Sequence, residues 1–230
     1  MRFSDFSALL AHFAETSPDA PALTYMAGGQ KTVCTFAALR SQAQARANVL
    51  RAEPKRAYGI FCDGSFACVV ELFASVLAGR RTVLMNENAD AAILREQITE
   101  VELDSLWGDV DLIEENTPYL SARAEGGDHR ILFFTSGTTA RAKAVVVSDA
   151  SLMNSAYNGG ALLPLSPSDT LLCMLPLDHV FGMVCGLLWG LSCGACVALG
   201  RGARFYTEDC ICFRPSAISV VPALLGFLLK

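Results

Sequence analysis

Between Ile131 and Asp149 the chain reads ILFFTSGTTARAKAVVVSD, the densest set of groups able to do chemistry anywhere in the sequence. Thr135, Ser136, Thr138 and Thr139 place four hydroxyls around Gly137, and Lys143 follows four residues later. Glycine lets backbone N–H groups turn towards a ligand, hydroxyls donate or coordinate, and lysine adds a mobile positive charge. Such a loop would cradle an anion, and a polyphosphate suits it best. A Ser/Thr-rich surface turn between two strands uses the same residue types. The spacing does not match the Walker pattern G-x-x-x-x-G-K-[ST], so the residues alone leave both readings open. His179 is the second candidate. It stands between an expected strand and an apolar helix, where ligands of open α/β folds collect. The alternative is an interior histidine capping the helix at Val180. His12 and His129, the two remaining histidines, are read as incidental.

The elements that must position these groups alternate. Phe6, Leu9, Leu10 and Phe13 have helical spacing, with a break at Ser17-Pro18. Two short strands, Ala22 to Tyr25 and Lys31 to Thr35, are joined by Gly28-Gly29 and predict a hairpin. Thr35 is placed to cap a helix ending near Ala52, before Pro54. From Ala57 onward strand and helix alternate: strands Tyr58–Cys62, Thr82–Met85 and Ser105–Trp107, helices Phe66–Ala78 and Ala89–Ile98. Glu114 to Asp128 is polar, with Gly126-Gly127, and reads as a surface loop delivering the chain to the strand Ile131–Phe134. Beyond the second apolar run, Val145–Val147, come helix Ala150–Asn158, strand Leu171–Leu175, an apolar helix Phe181–Leu191, strand Ala195–Leu199, strand Ala217–Val221 and a closing helix. Such alternation predicts an α/β fold with parallel sheets and helices on both faces.

Bulk properties narrow the function classes. The net charge of −5 is spread over interspersed residues, so no basic face invites nucleic acid. Apolar residues make up 52% and charged residues 18%, against about 45–50% and about 25% in ordinary soluble domains. Val180 to Gly200 carries no charge and is long enough to span a bilayer. Five glycines interrupt that run, and a buried helix, a turn and a strand account for it equally well. No membrane span and no secretory signal are therefore expected. Nine cysteines, mostly inside apolar runs, suggest reduced thiols in a cytoplasmic protein rather than a disulfide framework. Cys193-x-x-Cys196 and Cys210-x-Cys212 lack nearby histidine and make a poor zinc site.

TSGTTARAKAVVV resembles the phosphate-loop signature of the acyl-adenylate-forming superfamily, usually TSGTTGxPKGVxxTH. That superfamily includes acyl-CoA synthetases, luciferases and peptide-synthetase adenylation domains. LPLDHVFGM, Leu175 to Met183, is similar to its PLFHxxG segment, and SVVPALLGFLL, Ser219 to Leu229, to its strand, Val-Pro and helix. The order is right and the likeness covers nearly the whole chain. The resemblance implies two stacked, doubly wound, mostly parallel sheets: 57–165 as one subdomain carrying the phosphate loop, with 1–56 and 166–230 as an incomplete second one. It implies ATP and magnesium as cofactors, a small carboxylic acid as substrate, and coenzyme A or an acyl carrier protein as thiol acceptor. Thr135, Ser136, Gly137, Thr138, Thr139 and Lys143 would hold the β- and γ-phosphates. His179 would lie beside the acyl group and the adenylate, with Phe181, Gly182 and Met183 lining the acyl pocket or packing behind it.

The chain departs from that pattern at Ala140, Ala142 and Ala144, which replace a glycine, a proline and a glycine, and at Asp178, which replaces an aromatic residue. Alanine at positive φ would cost about 1 kcal/mol or more. An acidic neighbour could raise the histidine's pKa and repel a carboxylate. Family members are more than twice as long, and no YGxTE or TGD segment or lid is present. The chain is therefore expected to be the amino-terminal part of a ligase, inactive alone and prone to self-association. A naturally short, non-catalytic acyl- or nucleotide-binding module is the rival expectation.

Overall fold

The computed structural model describes residues 1–108, 130–135 and 143–228. Contacts divide the chain into two units, one of Met1–Ser41, Gly64–Phe66 and Ala150–Lys230, the other of Gln42–Asp63 and Ala67–Asp149.

The first unit opens with α1, Phe6–Thr16, whose first turn is capped by the Asp5 carboxylate accepting from the Ala8 N–H. Strands β1 (Pro21–Ala27) and β2 (Gln30–Thr35) pair antiparallel across Gly28-Gly29. The Thr35 hydroxyl accepts from the Ala38 N–H at 3.2 Å and starts α2, Phe36–Ala52. The second unit alternates as expected: β3 Ala57–Phe61, α3 Phe66–Leu77, β4 Arg81–Met85, α4 Ala91–Glu100, β5 Ser105–Trp107, β6 Arg130–Thr135 and β7 Lys143–Ser148. Its five strands run in the order β5-β3-β4-β6-β7, parallel except for β7. The expected loop Glu114–Asp128 lies outside the described residues.

The alternation of each strand explains why helices cover both faces. Ala57, Phe61, Val83 and Met85 pack with Leu94 and Ile98 of α4. The intervening residues face α3, where the Tyr58 hydroxyl donates to Glu71 at 2.8 Å and Ser75 and Thr82 share a 2.7 Å hydrogen bond. Arg46 completes that group by donating to Glu71 at 2.7 Å and to Tyr58 at 3.0 Å. Burial beside the Glu71 carboxylate pushes the Tyr58 phenol well above its ordinary value.

The chain returns to the first unit through α5, Asp149–Leu162. It continues with β8 (Thr170–Cys173), a π-helical segment Gly182–Leu188 leading into α6 (Trp189–Ser192), β9 (Cys196–Leu199), α7 (Tyr206–Phe213), β10 (Ala217–Ile218) and α8 (Pro222–Leu228). The five strands of this sheet run in the order β10-β8-β9-β1-β2, again parallel but for the hairpin strand at one edge. Leu171 and Val197 meet α6 at Gly190, while Leu172 and Ala198 pack with Phe213 of α7 on the opposite face.

Several elements differ from the sequence expectation. α5 runs past Gly159-Gly160, because Gly160 packs against Cys193 and Trp189 and the Trp189 indole donates to the Leu163 carbonyl at 3.1 Å. These contacts lie within the first unit. The apolar helix is π-wound rather than α over Gly182–Leu188. β10 stops at Ile218, short of Val221. α7 is an element the sequence did not announce. Among the described residues no helix is long and apolar enough to cross a membrane; the uncharged run Val180–Gly200 folds into the π segment, α6 and β9 instead.

Candidate functional site

The ends of the hydroxyl-rich loop are held by a hairpin. Ile131, Leu132 and Phe133 are buried, and Ile131 and Leu132 pair with Thr82 and Val83 of β4, which anchors β6 in the sheet. β6 and β7 pair without interruption from Arg130↔Ser148 to Thr135↔Lys143. Thr135 and Lys143 therefore face each other at the open end, both exposed, and the Thr135 hydroxyl donates to the Lys143 carbonyl at 3.4 Å. Among the described residues no carboxylate forms an ion pair with the Lys143 ammonium. Ser136, Gly137, Thr138 and Thr139 lie outside the described residues, as do Ala140 and Ala142. Ala144 pairs with Phe134 in extended β7 and is absent from the positive-φ residues, so no glycine is needed there.

In the other unit, the turn after β8 sorts its side chains sharply. Leu175, Leu177 and Asp178 are buried, whereas Pro176 and His179 are exposed. The His179 N–H donates to the Pro176 carbonyl at 3.4 Å, and the His179 carbonyl accepts from Met183 at 2.9 Å. His179 thus opens the helix with its backbone and leaves its imidazole at the surface, which is not the interior, satisfied histidine of the alternative reading. Asp178, its neighbour, is buried at 6% exposure. Behind the histidine, Gly182 lies so close to the Pro176 carbonyl that a Cβ there would sit 2.9 Å from its carbon and closer still to its oxygen. Met183 is fully buried and serves packing, while Phe181 is 50% exposed.

The third motif meets the helix that continues from the second. Ser219, just past β10, donates its hydroxyl to the Cys185 carbonyl inside the π segment at 2.7 Å. The C-terminal end of β9 carries a group that sequence reasoning missed. Arg201 donates to the buried Asp209 carboxylate from its backbone N–H at 2.8 Å and from Nε at 2.7 Å. The Phe205 ring lies 4.6 Å from the Arg201 guanidinium and 5.0 Å from that of Arg204. The available signal was two arginines directly after an apolar strand with an acidic pair, Glu208-Asp209, a few residues on. Because β8, β9 and β10 are parallel neighbours, His179, Arg201, Arg204 and Ser219 all issue from one end of the sheet.

No group of three or more His, Cys, Asp or Glu able to hold a metal ion occurs among the described residues. Burial pushes the Cys196 thiol up to about 11, and the Cys185 thiol is raised for the same reason. Magnesium binds phosphate oxygens and keeps several waters, with few protein ligands.

The sequence pattern of the AMP-binding enzyme family fits residues 107–230, more than half of the chain, and the chain belongs to that family. Among curated proteins it is similar to a probable CoA ligase of Humulus lupulus, at 33% identity over 155 residues, 62% of this chain and 30% of that protein. It is likewise similar to the oxalate–CoA ligase of Arabidopsis thaliana, at 41% identity over 78 residues, 34% of this chain and 15% of that one. The chain thus spans less than a third of the curated relatives it matches. In fold it is similar to the o-succinylbenzoate CoA synthetase of Bacillus subtilis in complex with its acyl-adenylate intermediate. The TM-score is 0.80 and the identity 22%, over 96% of this chain and 63% of that one. That synthetase is also known in complex with ATP and magnesium ion.

Proposed function

We propose that this chain belongs to an ATP-dependent ligase that activates a carboxylic acid as its acyl-AMP and passes the acyl group to a thiol, either coenzyme A or a carrier protein. The observation that carries the proposal is the pairing of Thr135 with Lys143 at the mouth of the β6–β7 hairpin, which brackets the hydroxyl- and glycine-rich loop. The likeness to CoA ligases supports it.

In the first half-reaction a carboxylate oxygen bonds to the α-phosphorus of ATP, and the bond from that phosphorus to the bridging oxygen breaks to release pyrophosphate. In the second, the thiol sulfur bonds to the acyl carbon, its proton is lost, and AMP departs with the electron pair. Negative charge grows on the leaving phosphates, so positioning and neutralisation dominate the barrier. Lys143 and the hydroxyls of Thr135, Ser136, Thr138 and Thr139 serve that purpose, with Gly137 letting the backbone approach. Magnesium, when bound to the phosphates, supplies further charge neutralisation. His179 stands beside the acyl carboxylate and orients it, and the exposed Phe181 offers an apolar wall.

The isolated 230-residue chain is proposed to bind phosphates weakly and not to turn over. Titration calorimetry with pyrophosphate should show weak binding that Lys143→Ala reduces several-fold, with stability unchanged because Lys143 is exposed. Equal pyrophosphate affinity in Lys143→Ala would refute the phosphate role. Robust pyrophosphate release from ATP, magnesium and a carboxylic acid by this chain alone would refute its inactivity.

A further inference from the structure

The segment Gly182–Leu188 winds as a π-helix, and the N–H of the next residue, Trp189, reaches back five residues to the Val184 carbonyl. Such turns are rare as isolated structure, because the narrower α-helix suits the same residues better. Something must therefore hold the wider winding. One hold is at its start, where Gly182 rests on the Pro176 carbonyl. The other is at its centre. Cys185 is the middle residue of the segment, and its carbonyl accepts the Ser219 hydroxyl at 2.7 Å. Ser219 is buried one residue beyond β10, and β10 pairs with β8, the strand that leads into the His179 turn. The hydroxyl thus ties a neighbouring strand end to the helix that His179 opens.

A slip of this segment from π to α winding would remove one residue from the turn. The amino-terminal side of the helix would then rotate against its carboxy-terminal side by about 100°. β8 and β9 fix both flanks, so the strain would fall on the turn that carries His179.

We propose that Ser219 is a positioning residue, which fixes the π-helical winding of Gly182–Leu188 through the Cys185 carbonyl and thereby sets the direction in which the His179 imidazole leaves its turn. The significance of that direction rests on the ligase reading; the geometry does not. Ser192 supplies the internal comparison. It is also buried, and its hydroxyl also donates to a carbonyl of the same helix, that of Trp189, at 2.9 Å, but beyond the π segment.

The test is heteronuclear NMR of the full chain without ligand, tracking the imidazole signals and the Cys185 carbonyl carbon, with the His179 signal assigned from His179→Gln. Ser219→Ala should move the His179 ring and Cys185 carbonyl signals while leaving those of His12 in place. Ser219→Thr, which keeps the hydroxyl, should restore both, and Ser219→Cys, a weaker donor, should fall between. Ser192→Ala should leave the His179 signals unmoved. The proposal is overturned if Ser219→Ala leaves those signals at their wild-type positions. It is equally overturned if Ser192→Ala moves them as far, or if folded Ser219→Thr fails to restore them. Because this readout needs no substrate, its failure leaves the ligase reading intact. Failure of that reading would appear instead in turnover by the His179→Ala variant of a full-length ligase.

Discussion

Replacing Gly182 with alanine is the sharpest test of how the His179 turn is built. In an ordinary helix the change adds stability, up to about 1 kcal/mol, because alanine loses less backbone freedom than glycine. Here the new methyl would sit 2.9 Å from the Pro176 carbonyl carbon and closer still to its oxygen. Carbon atoms in favourable contact lie about 3.5–4.0 Å apart, so the carbonyl carbon alone demands a separation of roughly 0.6–1 Å, and the nearer oxygen demands more. The obstruction is backbone, not a side chain that can swing aside. Leu175 and Leu177 are both buried and hold Pro176 between them. Overpacking of this kind costs about 1–3 kcal/mol, and a backbone obstruction belongs at the upper end. Set against the helix gain, the net loss is about 2 kcal/mol, or roughly 4–8 °C in melting temperature for a chain of this size. Thermal unfolding monitored by circular dichroism measures it. Gly159→Ala, where nothing lies within 4 Å of the added Cβ, is the control and should gain stability. If Gly182→Ala were neutral or stabilising, like Gly159→Ala, the close approach that seats His179 would be refuted.

The same geometry has other consequences. Tyr58→Phe removes a donor from the buried Glu71 carboxylate and should cost about 1–3 kcal/mol in chemical denaturation. A loss below a few tenths would contradict the buried network. The raised Tyr58 pKa means that its contribution is complete below the phenol's unfolded value, about 10. It is lost as pH climbs towards the folded value, so the wild-type advantage over Tyr58→Phe should shrink above about pH 10. Cys196, with its thiol near 11, should be among the last cysteines alkylated by iodoacetamide at pH 8, and early labelling there would show that burial is overstated. The carboxy-terminal part exposes Ile211 and Leu225 on either side of β10, an edge strand of its sheet among the described residues, and should promote self-association. Light scattering should detect it, and Ile211→Lys with Leu225→Lys should suppress it, whereas a clean monomer at high concentration would refute the idea.

The features legible in the sequence are those that local patterning encodes. The Thr35 cap, the Gly28-Gly29 turn and the largely apolar β3 all announced their elements within a residue or two. The features that were not legible depend on contacts distant in sequence. α7 buries only Asp209 and Phe213, too few for an apolar period, and Asp209 is held there by Arg201. α5 extends over two glycines because Trp189 and Cys193 receive its last turn. The π winding has no sequence code of its own, and its hold, Ser219, lies 34 residues away from Cys185. At the site, the exposure of His179 agrees with its place after β8. That Asp178 is buried and His179 exposed needed the turn itself, in which Leu175 and Leu177 are buried on either side of the exposed Pro176.

The two hairpins show why the hydroxyl-rich loop calls for a function at all. Each unit consists of four parallel strands with one antiparallel strand added at an edge: β2 in one, β7 in the other. In the first hairpin Ala27 pairs with Gln30, so two glycines suffice to reverse the chain. In the second, Thr135 pairs with Lys143 and seven residues, 136–142, make the same reversal. Going from two to seven residues costs about 1 kcal/mol more in closure entropy, and the register gains nothing from it. The longer loop also begins in three hydroxyls and a glycine, next to a lysine with no carboxylate partner among the described residues. A connection with length and polar groups beyond what the register requires supports the proposed phosphate role of this loop.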